Sequence, residues 1–251
     1  MQNRKTGFTL VELSIVLVII GLLIGGILVA QSMIQTAKIT AQVKQFQQFD
    51  IAVTNFKTKF GALPGDSATI PPATGNVNGI IDTCEYGGGQ EYYYTGCEFS
   101  NFWPELTATQ MLMSSQQYSV SIVNNTWSPG YNVPYSIIEP KMGIMAYGIE
   151  PTGSYTGNNY YSIFGPNRSN YPYQGSTPSA VEALALDTKM DDGNPNTGNI
   201  VAANIDLLED YSLASGWFGL GCTSGTAYAV STSGASCRLN IVMLSQVGQN
   251  Q

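Results

Sequence analysis

The sequence predicts an α+β protein, in which one long amino-terminal helix packs on a small globular head that contains an antiparallel sheet. Residues 8–30 form a continuous apolar run, and residues 31–60 carry an apolar stripe at helical spacing. The chain beyond them is rich in glycine, proline and tyrosine, with short strand patterns between turns. Of the 251 residues, 191 follow Phe60, which is enough for one domain with its own core.

The apolar run at residues 8–30 is long enough to cross a membrane, because a hydrocarbon core of about 30 Å requires roughly 20 apolar helical residues. A single carboxylate, Glu12, interrupts the run. An ionisable group inside a membrane segment is costly to insert and is by default a functional residue. Arg4, Lys5 and Gly7 lie directly before the run and form a short basic leader.

The basic leader, the Gly7-Phe8 junction and Glu12 four residues later together resemble the amino terminus of type IV prepilins. The chain is thus similar to the type IV pilin and type II secretion pseudopilin family. The resemblance implies cleavage between Gly7 and Phe8 by a membrane prepilin peptidase, followed by N-methylation of Phe8. It also implies a pilin-like fold and assembly of subunits through the long helix. Glu12 is then expected to neutralise the new amine of Phe8, in its own chain or in a neighbour, and so to set the register of assembly.

Two other interpretations of this segment explain less. A secretory signal peptide has an apolar region of about 7–15 residues and a small-residue cleavage site after it, whereas this run is longer and contains Glu12. A plain single-pass anchor explains the length and the flanking charge, but neither Gly7-Phe8 nor Glu12. We therefore expect a leader at residues 1–7, a transmembrane or fibre-core helix at 8–30, an amphipathic continuation at 31–60 and an extracytoplasmic head at 61–251.

The amphipathic continuation is predicted from apolar residues at steps of three and four, namely Ile39, Val43, Phe46, Phe49, Val53, Phe56 and Phe60. Nothing breaks the pattern before Gly61, so one helix of about 80 Å is expected from about residue 8 to residue 60. The stripe is expected to pack on the head, the alternative being a coiled coil with a separate partner. Family members often carry a proline in the apolar segment. Gly25 and Gly26 stand there in this chain, and because glycine keeps its backbone donor, any loosening is expected to be mild.

Two short helices and five strands are predicted in the head. Pro104 is expected to open one helix that reaches about Ser114, because proline favours the first helical position. Pro178 is expected to open a second helix through Met190, with Thr177 as its cap and a stop at Gly193. Strand patterns cover residues 118–123, 143–149, 160–164, 226–231 and 238–244.

Charge divides the chain into a basic and an acidic part. Residues 1–59 have a net charge of +4 and residues 60–251 a net charge of −11. Because Arg4 and Lys5 precede the apolar run, the positive-inside rule predicts a cytoplasmic amino terminus and an external head. We expect a single-pass protein of the bacterial inner membrane, whose head lies in the periplasm or, after assembly, on a cell-surface fibre. So acidic a head repels phosphate backbones, and nucleic acid is not expected as a partner.

All four cysteines lie in the predicted head, as Cys84, Cys97, Cys222 and Cys237. Four cysteines allow three pairings, and the sequence alone leaves them open. The local pairs 84–97 and 222–237 are favoured because each closes a polar loop with little apolar content, and closing a loop of about 15 residues stabilises by roughly 3 kcal/mol. A zinc site is disfavoured, since the chain has no Cys-x-x-Cys spacing and no histidine.

An acidic segment at residues 187–198 is the best candidate for a metal site. Asp187, Asp191 and Asp192, with nearby asparagine and backbone oxygens, suit a hard cation such as calcium. Some secretion pseudopilins bind calcium in their heads, and the resemblance extends that expectation to this head. The spacing does not fit an EF-hand, however, and the alternative is a helix that ends at Asp192, with Gly193 as a left-handed cap followed by an Asn-Pro turn.

Other chemistry is weakly supported by the sequence. Without histidine, a serine or cysteine nucleophile would lack its usual base, so the chain is not expected to be an enzyme. Tyrosine clusters, including Tyr92-Tyr93-Tyr94 and Tyr160-Tyr161, are expected to serve in packing, with a surface that binds glycans as the alternative. The expected function is that of a structural fibre subunit, whose partners are other pilin or pseudopilin subunits, prepilin peptidase, the inner-membrane assembly platform and the lipid bilayer. The alternatives are a minor pilin that acts as an adhesin and an anchored domain that never polymerises.

Overall fold

The fold is described from a computed structural model of the chain. It describes residues 9–82, 97–112, 117–119, 128–148, 158–164, 178–203, 221–232, 234 and 237–244. One long helix, two short helices, a four-stranded sheet and a two-stranded hairpin lie within these ranges. The architecture is α+β and pilin-like, with the head packed on the carboxyl half of the long helix, as the sequence predicts.

Helix α1 spans Leu10–Phe60 and is about 77 Å long. Thr9 caps its amino end and Gly61 caps its carboxyl end in the left-handed region, with φ +75°. Glycine has no Cβ and adopts this conformation without strain, which explains why the helix stops there. The helix is continuous through Gly25 and Gly26, so the expected loosening at these glycines does not interrupt it.

The carboxyl half of α1 buries its apolar stripe against the head of the same chain. Its fully or nearly fully buried apolar residues are Ile39, Phe46, Phe49, Ala52, Val53 and Phe56. Val43 and Phe60 are partly buried against the same core. Burying one such side chain stabilises by about 1.5–3 kcal/mol, so the stripe fixes the head on the helix. This confirms the prediction that residues 31–60 continue the helix and pack on the head.

The main sheet consists of β1 (Gly143–Gly148), β2 (Asn159–Phe164), β6 (Arg238–Val242) and β3 (Ile200–Ala203), in that spatial order, and all neighbours are antiparallel. Its α1-facing side carries apolar residues in register, as in the pairs Ile144 with Ile163 and Tyr161 with Ile241. Three of the predicted strands, at 143–149, 160–164 and 238–244, correspond to β1, β2 and β6. Strand β3 was not predicted.

Two strand predictions are wrong in part. The segment 226–231 shortens to β5 (Ala227–Tyr228), which pairs only with β4 (Thr223–Ser224), because Gly225 turns the chain in the left-handed region between them. Of the segment 118–123, residues 118 and 119 form no strand and residues 120–123 lie outside the described residues.

Helix α2 spans Glu98–Ala108, so the prediction that Pro104 opens a helix reaching Ser114 is wrong. Pro104 lies inside the helix, where a proline costs about 3 kcal/mol. The cost is outweighed by a fully buried apolar face at the spacing i, i+3, i+4, i+7, formed by Phe99, Phe102, Trp103 and Leu106. Tertiary burial therefore overrides the local preference of proline for a helix start.

Helix α3 spans Ala180–Met190, close to the predicted second helix, but its cap differs. Ser179 is the N-cap, and its side chain and that of Glu182 form a reciprocal capping box with each other's backbone N–H groups. The expectation that Thr177 caps the helix is therefore wrong, and Thr177 itself lies outside the described residues. Pro178 instead accepts a hydrogen bond on its carbonyl from the N–H of Cys237, at 2.7 Å.

Candidate functional site

The amino end of α1 is built around a capping box between Thr9 and Glu12. The Thr9 hydroxyl accepts a hydrogen bond from the Glu12 N–H at 3.3 Å. In return, Oε2 of Glu12 accepts from the Thr9 N–H at 2.8 Å and from the Thr9 hydroxyl at 2.7 Å. The Thr-x-x-Glu pattern thus satisfies backbone donors that the first turn leaves open. It also holds the carboxylate at the very start of the helix.

The amino half of α1 is an exposed apolar surface. Every residue from Leu10 to Lys38 is exposed, and Glu12 is the sole charged residue of α1 before Lys38. The hydroxyls of Ser14 and Ser32 bond to carbonyls of their own helix at 2.8 Å, so they present little polarity outward. Among the described residues, α1 is the one helix long and apolar enough to cross a membrane, by length and composition. A patch of this size is a surface for lipid or for other helices.

Polar contacts fix the head on α1 at the level where the apolar surface ends. Gln42 is fully buried, and its Oε1 accepts hydrogen bonds at 2.8 Å from the Ser136 hydroxyl and the Ile137 N–H. Three further contacts join helix and head at this level, from Lys38 to the Ile138 carbonyl, from Gln45 to the Tyr135 carbonyl and from Lys189 to the Thr40 hydroxyl. Because these bonds extend over about two turns of the helix, from Lys38 to Gln45, the head has a defined orientation on it.

Residues 2–28 match the family model described as the prokaryotic N-terminal methylation motif. The chain carries the hallmark of type IV pilins and pseudopilins. The matched segment contains the basic leader, the Gly7-Phe8 junction and Glu12, on which the predicted resemblance rests. No curated protein and no solved structure matches the chain.

The residues predicted for processing stand next to this pilin-like helix start. Gly7 and Phe8 lie outside the described residues, and their roles in cleavage and methylation stay predictions. Thr9, the N-cap of α1, is the second residue after the Gly7-Phe8 junction. Cleavage there would thus free an amine four residues before Glu12 in the sequence, and the role of Glu12 in assembly also stays a prediction.

A buried carboxylate, Asp50, ties α1 to the sheet of the pilin-like head. Its Oδ1 accepts hydrogen bonds from the Tyr161 hydroxyl at 3.4 Å and from the Leu244 N–H at 3.2 Å. Burial raises the pKa of Asp50 from 3.8 to about 6, and the two hydrogen bonds only partly oppose that rise. Because the pKa is higher in the folded chain, the contribution of Asp50 to stability is full below pH 3.8 and is lost as the pH rises through 6.

Replacing Asp50 by asparagine is expected to flatten the pH dependence of unfolding. Asparagine keeps an acceptor oxygen and cannot ionise. The difference between the free energies of unfolding at pH 4 and at pH 7 should therefore shrink by up to about 3 kcal/mol. Urea unfolding of the full chain in detergent micelles, followed by near-UV circular dichroism, measures this change. Glu139→Gln serves as the control. Equal pH profiles for wild type and Asp50→Asn would show that Asp50 is not the group that titrates.

The acidic segment brings Asp187, Asp191 and Asp192 together, with their nearest carboxylate oxygens within 4.8 Å of one another. Each carboxylate already has donors. Asp187 accepts from the Tyr228 hydroxyl at 2.7 Å, and its pKa is raised by burial. Asp191 accepts from the N–H groups of Asn199 and Ile200, and Asp192 accepts from the Thr197 hydroxyl and the Asn194 N–H.

These bonds shape the loop after α3. The helix ends at Met190, and Gly193 is in the left-handed region at φ +75°. The observed bonds thus resemble the structural alternative, with the helix two residues shorter than that alternative assumed. Calcium binding by the three aspartates stays a prediction.

Cys222 and Cys237 form a disulfide, as the sequence favoured. Both are fully buried, and the bond connects the β4–β5 hairpin to the start of β6. Cys97 is also disulfide-bonded. Cys84 lies outside the described residues, so the pairing of Cys84 with Cys97 stays a prediction.

The expectation that the tyrosines serve in packing is confirmed at Tyr161. This side chain is fully buried and stacks on Phe46 at a centroid distance of 5.7 Å, because β2 turns it toward α1. The triplet Tyr92-Tyr93-Tyr94 lies outside the described residues. Gln42 and Asp50 were missed by the sequence analysis. The available signal was their position on the apolar face of α1, beside Phe46 and Phe49, where a polar residue needs a specific partner.

Proposed function

We propose that the chain is a structural subunit of a type IV pilus or a type II secretion pseudopilus, cleaved at Gly7-Phe8, methylated at Phe8 and polymerised through α1. One combination of observations supports this. The methylation motif at residues 2–28 coincides with the start of a 51-residue helix whose amino half exposes an apolar surface. An isolated globular protein does not leave such a surface uncovered, so it is suited first to the bilayer and then to neighbouring helices.

In the precursor, the apolar half of α1 lies in the inner membrane. Arg4 and Lys5 hold the leader on the cytoplasmic side, where prepilin peptidase acts. The head lies on the opposite side, an oxidising compartment in which the Cys222–Cys237 disulfide persists. The assembly platform then moves the processed subunit from the bilayer to the fibre.

Glu12 has a role both in the isolated chain and in the fibre. In the isolated chain both bonds from Thr9 reach one carboxylate oxygen, Oε2. A carboxylate has about four lone-pair sites, so Oε1 can accept a hydrogen bond from the amine of a neighbouring subunit while the capping box is kept. In an apolar fibre core this attraction is strong, because the dielectric screening is weak. An incoming subunit therefore stops where its amine meets a Glu12 carboxylate.

Because the head has a fixed orientation on α1, the register of the helices also sets the positions of the heads at the fibre surface. Gln42, Asp50 and the apolar stripe fix the head on the carboxyl half of α1. A helix placed by the Phe8 amine and Glu12 therefore also places its head. Subunits with equal helix positions then present equal head surfaces, as a regular fibre requires.

Processing at Gly7-Phe8 is the direct test of this proposal. Intact-mass measurement of the protein from cells with an active prepilin peptidase should show loss of residues 1–7 and a gain of one methyl group. A Gly7→Val variant, in which a branched side chain replaces the glycine at the junction, should keep its leader. A native protein that still begins at Met1 would contradict the proposal.

A further inference from the structure

Residues 61–82, the described first part of the connection from α1 to α2 and here called the 61–82 loop, fold around three buried carboxylates. Asp66 belongs to the loop, whereas Glu98 and Glu105 belong to α2, and each is at most 4% exposed. All three accept hydrogen bonds from main-chain N–H groups of the loop. Glu98 bonds to Asn76 and Asp82 at 2.9 Å, Asp66 to Asn78 at 3.2 Å and to Gly79 at 2.8 Å, and Glu105 to Gly65 at 2.8 Å. The loop is thus attached to α2 through acid side chains.

Glu105 differs from the other two carboxylates in its second oxygen. Oε2 accepts from Gly65, but Oε1 is buried without a hydrogen-bond partner. Asn101 stands one helical turn earlier and is also fully buried, and its Oδ1 likewise has no partner. Its amide nitrogen is used, since it donates to the Thr74 hydroxyl at 2.6 Å. Residues four apart lie on one face of a helix, so two unsatisfied acceptors occupy neighbouring positions there.

The charges around Glu105 are mainly negative. Burial raises its pKa from 4.5 to about 8, and the carboxylates of Asp66 and Glu98 add to the rise, against the hydrogen bond from Gly65. Asp82, at the end of the loop, acts in the same sense on Asp66 and Glu98.

The elements packed against α2 carry the titratable groups Asp50, Lys57 and Lys59 on α1 and Tyr147 on β1. On α1, Asp50 faces Tyr161 and Leu244, and Lys59 lies over the Phe60 ring, while Lys57 is the other basic residue of the last turn. On β1, the Tyr147 hydroxyl donates to Asn240 at 2.6 Å.

We propose that Glu105 is a neutral carboxylic acid at neutral pH, that its Oε1–H donates to Oδ1 of Asn101, and that loss of this proton releases the 61–82 loop from α2. One added proton turns an unsatisfied acceptor into a donor and so satisfies both oxygens at once. It also keeps a third negative charge away from Asp66 and Glu98. The loop begins at Gly61, where α1 ends. The proton on Glu105 therefore controls the segment through which the chain passes from α1 into the head.

The direction of the effect follows from the bound proton. The folded chain holds the proton of Glu105 more tightly than the unfolded chain does, so closure of the loop is fully supported below about pH 4.5 and is lost as the pH rises through about 8. Alkaline conditions therefore open the loop, whereas mildly acidic conditions keep it closed.

The protonation state is tested by nuclear magnetic resonance of the full chain in detergent micelles, with carbon-13 at the glutamate carboxyl carbon. The signal that disappears in Glu105→Gln should titrate with a midpoint near pH 8, and Glu139→Gln should leave it in place. A midpoint below about pH 6 for that signal would overturn the proposal. In Asn101→Ala, which removes the acceptor, the midpoint should fall by about one pH unit. An unchanged midpoint would overturn the pairing with Asn101.

Release of the loop is tested by amide hydrogen exchange of residues 61–82. After correction for the intrinsic rate, wild-type protection should fall about tenfold between pH 7 and pH 9, in proportion to the protonated fraction. Glu105→Gln should show no such fall, because an amide keeps its N–H donors and its carbonyl acceptor at every pH. An equal fall in both proteins would overturn the proposal, and so would protection that added calcium restores at pH 9, since a cation rather than a proton would then close the loop.

Discussion

Replacing Tyr161 by alanine is expected to destabilise the head by about 3–5 kcal/mol, the range for removing a large buried aromatic side chain. Tyr161 lies where α1, α2 and the sheet meet. Its ring stacks on Phe46 at 5.7 Å and on Trp103 at 6.3 Å, and it also contacts Phe49 and Phe102. Since the free energy of unfolding of a single domain is only about 5–15 kcal/mol, such a loss removes a large part of it.

Tyr161→Phe is the matched control for this prediction. It keeps the ring and removes only the hydroxyl that donates to Asp50 at 3.4 Å, so a cost of about 0.5–1.5 kcal/mol is expected. Urea unfolding of the full chain in micelles, followed by near-UV circular dichroism, reports the head and is insensitive to α1 in the micelle. If alanine cost no more than phenylalanine, the ring would not be the centre of the core.

The long helix could be predicted because its signal is local and repeated many times. An apolar run and a stripe of seven residues fix α1 to within two residues at its start and at Phe60 at its end. Its first turn was also readable, since Thr9 and Glu12 form the Thr-x-x-Glu pattern of a capping box. The sequence predicted an assembly role for Glu12, which stays a prediction, whereas the cap that the structure shows was not predicted.

The head was harder to predict because its decisive contacts join distant residues. The position of α2 depends on burial of Phe99 and Trp103 rather than on Pro104. Strand β3 is four residues long and is defined by its pairing with β6, so no local pattern distinguishes it. The three carboxylates that hold the 61–82 loop are another case. Glu98 and Glu105 look like ordinary surface acids in the sequence, and only the folded loop brings main-chain donors to them.

Replacing Glu12 by leucine is expected to abolish fibre assembly while cleavage and membrane insertion persist. Leucine removes the single carboxylate of the apolar run, so insertion should be unchanged or better. The peptidase requires the Gly7-Phe8 junction, which the variant keeps. The incoming Phe8 amine would meet no counter-charge in the apolar core, and an unpaired buried charge strongly opposes association. The fibre recovered by shearing, relative to cleaved subunit in the membrane, should fall by more than about tenfold.

Glu12→Gln separates the two uses of the side chain. Glutamine retains the capping box with Thr9, because that motif accepts either residue at this position, but it has no charge to offer an amine. If charge pairing sets the register, Glu12→Gln should fail to assemble as completely as Glu12→Leu, although its helix still begins at Leu10. If Glu12→Gln assembled normally and Glu12→Leu did not, the cap would be the required feature and the charge pairing would be refuted. Normal assembly of both variants would show that Glu12 has no part in registering subunits, because neither the cap nor the charge would then be needed.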